Sequence, residues 1–295
     1  MNITYPKVGL IGFGEVGQAF AKGILEKTNQ IWAYDIVFEN PNHPLAVKAR
    51  EMGVQPTQQL EEIGAHCSLI FTLVNSTSSE TVAKNIAPSL PSGTIYLDLT
   101  TSTPQTKARS ESVITSHGGI FVDASIMGTV ATEQHRVPLL IAGENGKQVK
   151  SELDWLGFNS TVIDQPNGAA ASIKLLRSIF MKGLEALVIE TMLTAENYKV
   201  SDEVMKSISN TLNNNDFTLF ANTLITTHVL HKKRRHKEVQ DSYSLITEAN
   251  IEPYVTQGVQ SFFEESVKKE INMDHLRLSK EEAVKDILHQ YLSKK

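Results

Sequence analysis

One stretch near the start of the chain is most informative about its fold, namely Val8-Gly9-Leu10-Ile11-Gly12-Phe13-Gly14-Glu15-Val16-Gly17. Its apolar start predicts a buried strand, its G-x-G-x-x-G pattern predicts a tight turn, and a helical pattern follows. In such a unit the first glycine permits the turn, the second lets the backbone approach a pyrophosphate, and the third lets helix and strand pack closely. The helix N-terminus adds N–H groups and the positive end of its dipole. The pattern therefore predicts a dinucleotide site formed by Gly12, Phe13, Gly14, Glu15, Val16 and Gly17.

Asp35 favours this interpretation over a glycine-rich turn without a ligand. It follows the apolar run Ile31 to Tyr34. This is about 20 residues after the glycines, where an acid can bind the ribose hydroxyls of a dinucleotide. A carboxylate there would repel a 2′-phosphate, and no arginine follows among Ile36-Val37-Phe38-Glu39. We therefore expect NAD in preference to NADP, while an ordinary strand-end turn residue stays open as the alternative role of Asp35.

The rest of the chain divides into two parts of different character. Up to residue 165, short apolar runs alternate with helical patterns, which is typical of a mostly parallel sheet with helices on both faces. The expected strands are Val8 to Ile11, Ile31 to Tyr34, Leu69 to Val74, Thr94 to Leu97, Ile120 to Val122 and Leu139 to Ile141. We predict an α/β fold, with a Rossmann-type NAD(P)-binding domain over residues 1–165 and an all-helical substrate and dimerisation domain over residues 166–295.

The second part opens with a long predicted helix, from Ala169 to Lys199, that is apolar on almost every face. A helix of this kind is typically buried. In a chain of this size a second copy could cover part of it, so we expect a homodimer with a helical interface.

Composition excludes several classes of partner and site. The net charge of −5 gives no reason to expect a nucleic-acid or membrane partner. The first residues show no signal-peptide pattern, and Cys67 is the only cysteine, which fits a cytoplasmic protein in which that thiol packs in the core. His228, His231 and His236 lack carboxylate or cysteine ligands at metal-site spacing, so we predict no metal.

Four segments, taken in order, resemble the β-hydroxyacid dehydrogenase superfamily, which includes 3-hydroxyisobutyrate and 6-phosphogluconate dehydrogenases. They are the opening stretch, the run Asp98-Leu99-Thr100-Thr101-Ser102-Thr103-Pro104, the run Phe121-Val122-Asp123-Ala124-Ser125-Ile126-Met127-Gly128-Thr129, and Gly168 followed by Lys174. They are similar to the family's G-x-I-G-L-G-x-M-G, D-x-S-T-x-x-P and D-A-P-V-S-G-G motifs and to its helix with a catalytic lysine.

A further stretch is similar to one divergent branch of this superfamily. His231-Lys232-Lys233-Arg234-Arg235-His236-Lys237-Glu238 fits the H-x-x-R-R-x-x-E pattern of members labelled phosphogluconate-dehydrogenase-like. Membership of that branch implies the chemistry and leaves the substrate open. The basic run itself has two interpretations: a solvated helix face, or an anion site with Arg234 or Arg235 as a bidentate clamp.

Lys174 stands out because it begins an otherwise apolar helix. At about 100° per residue it shares one face with Arg177, Ser178, Met181, Lys182 and Glu185. A polar stripe on a buried helix must meet water, a partner or a ligand. A lysine in a partly dehydrated cleft can have its pKa drawn toward neutrality, which suits proton transfer. The resemblance gives Lys174 the role of general acid/base, and an ion-paired or snorkelling lysine is the alternative.

Further contacts are expected at strand ends. Thr101, with Thr100 as a close competitor, is expected near the nicotinamide. Val74 and Asn75 follow the fourth expected strand, at the carboxyl edge where ligands of open sheets bind. We therefore expect Val74 and Asn75 to line the cofactor, although the family often has proline where Asn75 stands.

The resemblance also implies substrate contacts at Ser125, Met127, Gly128 and Ser178, and the anion-site interpretation of the basic run adds Arg234. Two of them depart from the family's pattern, because Met127 replaces a serine and Ser178 replaces an asparagine. The expected activity is hydride transfer between a nicotinamide cofactor and a small hydroxy acid. An imine or keto-acid reductase on the same scaffold and a non-catalytic NAD-binding sensor stay open as alternatives.

Overall fold

The computed structural model describes residues 6–272 and 278–293 of the 295-residue chain. Residues 1–5, which the signal-peptide prediction concerns, lie outside this range. The chain divides into two compact units, Met1–Ser178 and Ile179–Lys295. This division falls inside a long helix, whereas the predicted domain boundary at residue 165 precedes that helix.

The first unit is built on an eight-stranded sheet in the order β3-β2-β1-β4-β5-β6-β7-β8. Neighbouring strands are parallel except for β6 and β7, which are antiparallel. The predicted mostly parallel Rossmann-type sheet is thus confirmed. The strands are β1 (Val8–Ile11), β2 (Ile31–Tyr34), β3 (Gln55–Thr57), β4 (Leu69–Thr72), β5 (Ile95–Asp98), β6 (Ile120–Ile126), β7 (Leu139–Ala142) and β8 (Ser160–Val162). The chain order reverses between β1 and β4, which is the switch point where ligands of such sheets bind.

Two strands were absent from the prediction, and a third was predicted too short. The edge strands β3 and β8 have three residues each, and β3 carries Pro56 and the exposed Gln55. Neither has the apolar pattern of a buried strand. β6 extends four residues beyond Val122, so Ser125 lies within a strand and not in a loop.

Helices cover both faces of this sheet. Those of the first unit are α1 (Glu15–Leu25), α2 (Pro44–Met52), α3 (Leu60–His66), α4 (Ser79–Ile86), α5 (Pro104–Ser116), α6 (Val130–Glu133), α7 (Gly146–Trp155) and the beginning of α8 (Ala169–Asn197). One apolar cluster contains Phe20, Phe71 and Phe158, whose rings pack at centroid distances of 4.9–6.1 Å. A second contains Tyr96 stacked on Phe121 at 6.0 Å.

The second unit is helical throughout its described residues, as predicted. It contains the rest of α8, then α9 (Ser201–Asn213), α10 (Phe217–Glu248), α11 (Tyr254–Lys268) and α12 (Lys280–Ser293). Buried charges hold both ends of α11. Glu190 accepts hydrogen bonds from the backbone N–H groups of Val255 and Thr256 at 2.8 and 2.9 Å, and Lys232 donates to the Ser266 carbonyl at 2.7 Å. Each charge has the sign that opposes the helix dipole at its end.

The prediction that α8 is buried is wrong for a single chain. Leu176, Ile179 and Leu193 are 64%, 70% and 56% exposed. A helical pattern shows which faces are apolar and does not show what covers them. Among the described residues, no helix is long and apolar enough to cross a membrane.

Gly17 supplies a test of the packing between α1 and β1. A Cβ atom on Gly17 would overlap the Gly12 carbonyl oxygen, which is backbone and has little freedom to yield. We expect Gly17→Ala to lower the free energy of unfolding by about 1–3 kcal/mol, measured by urea denaturation.

Gly183→Ala is the matched control, because no atom lies within 4 Å of the added Cβ in α8. Alanine is a better helix former than glycine, so this variant should be as stable as the wild type or up to ~1 kcal/mol more stable. Equal stabilities of the two variants would contradict the proposed close contact.

Candidate active site

The three glycines of the turn after β1 occupy three different environments. Gly12 has a φ of +99°, and a Cβ there would lie 2.9 Å from the Leu73 carbonyl oxygen. Gly17 is pressed against the Gly12 carbonyl. Around Gly14 no atom lies within 4 Å of the added Cβ, so the backbone is open on that side. These are the environments expected of a turn glycine, a packing glycine and a glycine that lets a phosphate approach.

Asp35 connects this turn to the end of β2 through hydrogen bonds. Its Oδ2 accepts a hydrogen bond from the Phe13 backbone N–H at 2.8 Å, and its Oδ1 accepts one from Val37 at 3.2 Å. The Phe13 ring is buried against Phe38, with ring centroids 5.8 Å apart. Phe13 is therefore engaged inside the protein through both its N–H and its ring. The Asp35 carboxylate is half-buried beside the open turn.

A cleft of about 530 Å³ lies at the carboxyl ends of β1, β2 and β4. It brings together five residues that the sequence predicted to bind cofactor, namely Gly12, Gly14, Asp35, Val74 and Asn75. Tyr34, Ile36, Leu60, Leu73, Thr77, Ser78, Thr81, Val82 and Asn85 complete its lining. Glu15 instead lines a separate cleft of about 570 Å³, together with Lys22 of α1 and Lys48 of α2.

Thr100 and Thr101, the two competing cofactor contacts, differ in their surroundings. Thr100 is buried, and its N–H donates to Asp98 Oδ1 at 2.9 Å. Its hydroxyl lies 3.2 Å from the Ser79 hydroxyl and 2.8 Å from that of Ser102. Thr101 is half-buried. Because Thr100 is engaged within the protein, these surroundings favour Thr101 as the residue available to a ligand.

A buried cluster of three charges comprises Asp98 at the end of β5, Asp123 in the middle of β6 and Lys107 on α5. Lys107 Nζ is 3.1 Å from Asp98 Oδ1 and 3.2 Å from Asp123 Oδ1, and all three side chains are fully buried. Lys107 also donates to the Asp98 carbonyl oxygen at 2.7 Å. Asp98 and Asp123 are register partners on neighbouring strands. Two adjacent buried carboxylates are costly without a nearby cation to offset their charge. The sequence analysis did not pair Asp98 and Asp123 and therefore did not single out Lys107.

Asp123 also anchors the start of α8. Its Oδ2 accepts hydrogen bonds from the backbone N–H groups of Gly168 and Ala171 at 2.9 and 3.2 Å. The Asn167 side chain accepts from the Asp123 N–H at 3.0 Å and donates to Glu111 at 2.7 Å. These hydrogen bonds fix the first turn of α8 to the middle of β6.

Lys174 lies one turn further along α8 and is half-buried. Burial lowers the pKa of its ammonium group, and the positive charge of Lys107 lowers it further. Both effects increase the share of the neutral amine, which is the form that can accept a proton.

The predicted substrate contacts differ in burial and in the unit to which they belong. Ser125 is fully buried within β6, so the substrate loop predicted to begin there begins at Met127 instead. Met127 and Ser178 are half-buried and Gly128 is exposed, all in the first unit. Arg234 is exposed on α10 of the second unit, where it forms an ion pair with Glu238.

Two other sequence-predicted features have structural explanations. Lys232, a member of the basic run, is buried and holds the C-terminal end of α11. Cys67 is buried, and burial raises the pKa of its thiol to about 12, so the thiolate is scarce near neutral pH. The described residues contain no group of three or more His, Cys, Asp or Glu side chains that could hold a metal ion.

This fold and cleft define a dinucleotide-binding protein of the dehydrogenase type. Residues 7–163 match the family of the NAD-binding domain of 6-phosphogluconate dehydrogenase, and the chain belongs to that family. Residues 195–266 match a domain of unknown function, DUF1932. The predicted relation to the β-hydroxyacid dehydrogenase superfamily is confirmed.

Two curated relatives match most of the chain. An uncharacterized 28.5 kDa protein of Methanothermus fervidus is 24% identical over 87% of this chain and 97% of its own length. The 2-(hydroxymethyl)glutarate dehydrogenase of Eubacterium barkeri is 22% identical over 68% of this chain and 67% of its own length.

Solved structures share the fold. A conserved protein of unknown function, described as structurally similar to 3-hydroxyacid dehydrogenases, is 27% identical with a TM-score of 0.61 over 88% of this chain and 96% of its own. An imine reductase of Myxococcus stipitatus in complex with NADP+ is 17% identical, with a TM-score of 0.73 over 89% of this chain and 94% of its own. A variant of that reductase was solved with NAD+, so these relatives leave the choice between the two cofactors open.

Proposed function

We propose that this chain is an NAD(P)-dependent dehydrogenase that transfers hydride between the cofactor and the hydroxyl-bearing carbon of a small hydroxy acid. The observation that carries the proposal is Lys174, a half-buried lysine on a helix start that Asp123 fixes to the sheet. It belongs to the same compact unit as the dinucleotide turn. The relation to a curated 2-(hydroxymethyl)glutarate dehydrogenase supports the substrate class.

The cleft at the turn has the features that a dinucleotide requires. The open space at Gly14 and the start of α1 suit a pyrophosphate, and the Asp35 carboxylate, which lines the same cleft, would accept hydrogen bonds from ribose hydroxyls. Val74 and Asn75 line the same cleft, and Thr101 follows the end of the neighbouring β5. When bound, the nicotinamide would supply the hydride acceptor or donor at its C4 carbon.

Lys174 would handle the proton of the reaction. As a neutral amine it accepts the hydroxyl proton during oxidation, and as an ammonium it returns the proton during reduction. Its lowered pKa keeps both forms accessible nearer to neutral pH than for an exposed lysine. Ser178, one helical turn further on, and the loop at Met127 and Gly128 are proposed to contact the substrate.

The proton-transfer role predicts a large loss in one variant. Lys174→Met keeps the length of the side chain and removes the amine, so turnover should fall at least about 100-fold. The assay would follow nicotinamide absorbance with a panel of hydroxy acids and amines. Lys150→Met, which removes an exposed lysine paired with Asp154, is the control and should keep wild-type turnover.

Turnover of Lys174→Met within a few-fold of the wild type would contradict the acid/base role. Turnover of the wild type with amines and not with hydroxy acids would indicate an imine reductase. Tight cofactor binding with no turnover of any substrate would indicate a sensor.

We further propose that NAD is preferred over NADP, because the Asp35 carboxylate at the ribose end of the cleft repels a 2′-phosphate. Asp35→Asn removes the charge and keeps one side-chain oxygen, which can replace the acceptor of either the Phe13 or the Val37 N–H group. Its NADPH affinity, relative to NADH and measured by fluorescence, should rise roughly tenfold. Glu39→Gln, an exposed charge nearby, should leave the ratio unchanged. Wild-type protein that binds NADPH more tightly than NADH would refute the preference.

The exposed apolar residues of α8 support the proposal of a homodimer, because patches of this kind mark interaction surfaces. Light scattering at micromolar concentration should give about twice the 32.6 kDa of one chain. Ile179→Arg, at a 70% exposed position, should reduce the mass toward that of one chain. Gln105→Arg, at an exposed position on α5, should leave it unchanged. A wild-type mass of a single chain would exclude the dimer.

A further inference from the structure

The buried cluster of Lys107, Asp98 and Asp123 has no role in the proton transfer proposed above. Its three side chains are fully enclosed, so none of them can touch a substrate or cofactor. Enclosing two carboxylates and an ammonium group carries a large desolvation cost, which close ion pairing and hydrogen bonds offset. The contacts of the two carboxylates indicate what this arrangement holds in place.

Asp98 organises two loops beside the cofactor cleft. Its Oδ1 accepts from the Thr100 N–H at 2.9 Å, and its Oδ2 accepts from the Ser79 hydroxyl at 3.1 Å. Ser102 in turn donates to the Ser76 carbonyl at 3.3 Å. The loop that carries Thr101 is thereby tied to the segment between β4 and α4.

Asp123 connects the ion cluster to the start of α8. Its Oδ2 accepts from Gly168 and Ala171 at the start of α8, and its Oδ1 faces the Lys107 ammonium at 3.2 Å. Lys107 therefore contacts both carboxylates. Its positive charge offsets their negative charges, and a charged carboxylate is a strong acceptor for the N–H groups of a helix start.

We propose that Lys107 is a positioning residue that fixes the start of α8, and with it Lys174, against the loop carrying Thr101. This role rests on the proposed use of Lys174. Without Lys107, the carboxylates of Asp98 and Asp123 would face each other on neighbouring strands without that cation between them. Their mutual repulsion would push them apart and weaken the anchor of α8.

The test compares Lys107→Met, which removes the charge, with Lys107→Arg, which keeps it. Leu153→Ala is the control, because it truncates a fully buried side chain of α7 away from the cluster and destabilises the same unit. The pH dependence of Lys174 acetylation by acetic anhydride, read by mass spectrometry, reports the titration of that amine without any turnover. The kcat and KM of the wild type and each variant are measured beside it.

In Lys107→Met we expect the pKa of Lys174 to rise, because a neighbouring positive charge is lost and two carboxylates are left unneutralised. We also expect kcat to fall at least about tenfold, since a displaced catalytic group loses much of its effect. Lys107→Arg should restore most of both properties, and Leu153→Ala should titrate as the wild type despite its lower melting temperature. Wild-type titration of Lys174 in Lys107→Met would overturn the proposal.

The two proposals fail in distinguishable ways. If Lys174→Met keeps its activity, the acid/base role fails, while the acetylation measurement still decides whether Lys107 controls Lys174. If Lys107→Met does not fold, Lys107→Gln replaces it, because glutamine can still donate to the Asp98 carbonyl that Lys107 contacts. The same shift in titration is expected of Lys107→Gln, and its absence would likewise overturn the proposal.

Discussion

The Lys107 ammonium lies between two aspartates on neighbouring parallel strands, and the hydrogen bonds of these aspartates reach the loop after β5 and the start of α8. The strand register brings Asp98 and Asp123 side by side, and full burial removes the water that would otherwise separate their charges. Each carboxylate then uses its remaining acceptor capacity to hold a loop or a helix start. A cluster of this kind specifies geometry, because each group is left with an uncompensated buried charge if another is displaced.

The second unit uses the same physical principle in another form. Glu190 from α8 and Lys232 from α10 meet opposite ends of α11, so that buried charges satisfy the backbone groups that a helix leaves unpaired. This explains one member of the basic run as a structural lysine. The basic run around Arg234 therefore contains a buried structural lysine, Lys232, as well as exposed residues such as Arg234 itself.

Helix α8 differs along its length: Asp123 anchors its first turn, and its apolar residues are exposed further along. The anchored end carries Lys174, where a lowered pKa suits proton transfer. The exposed stretch suits contact with another protein surface. A single helix thus combines an attachment to the sheet at its first turn with exposed apolar residues further along.

Residue patterns along the chain were enough to predict the α/β fold, six of the eight strands, the helical second part and the family. These features depend on local patterns: apolar runs, glycine spacing and helical periodicity. The edge strands β3 and β8 were not predicted, because short, polar segments carry no such pattern. Three features needed the folded structure: Ser125 is enclosed in β6, Thr100 is buried and hydrogen-bonded to Asp98, and Lys107 joins Asp98 and Asp123. Each of these depends on which distant residues meet across the sheet, and burial there sets the cost of every unpaired charge.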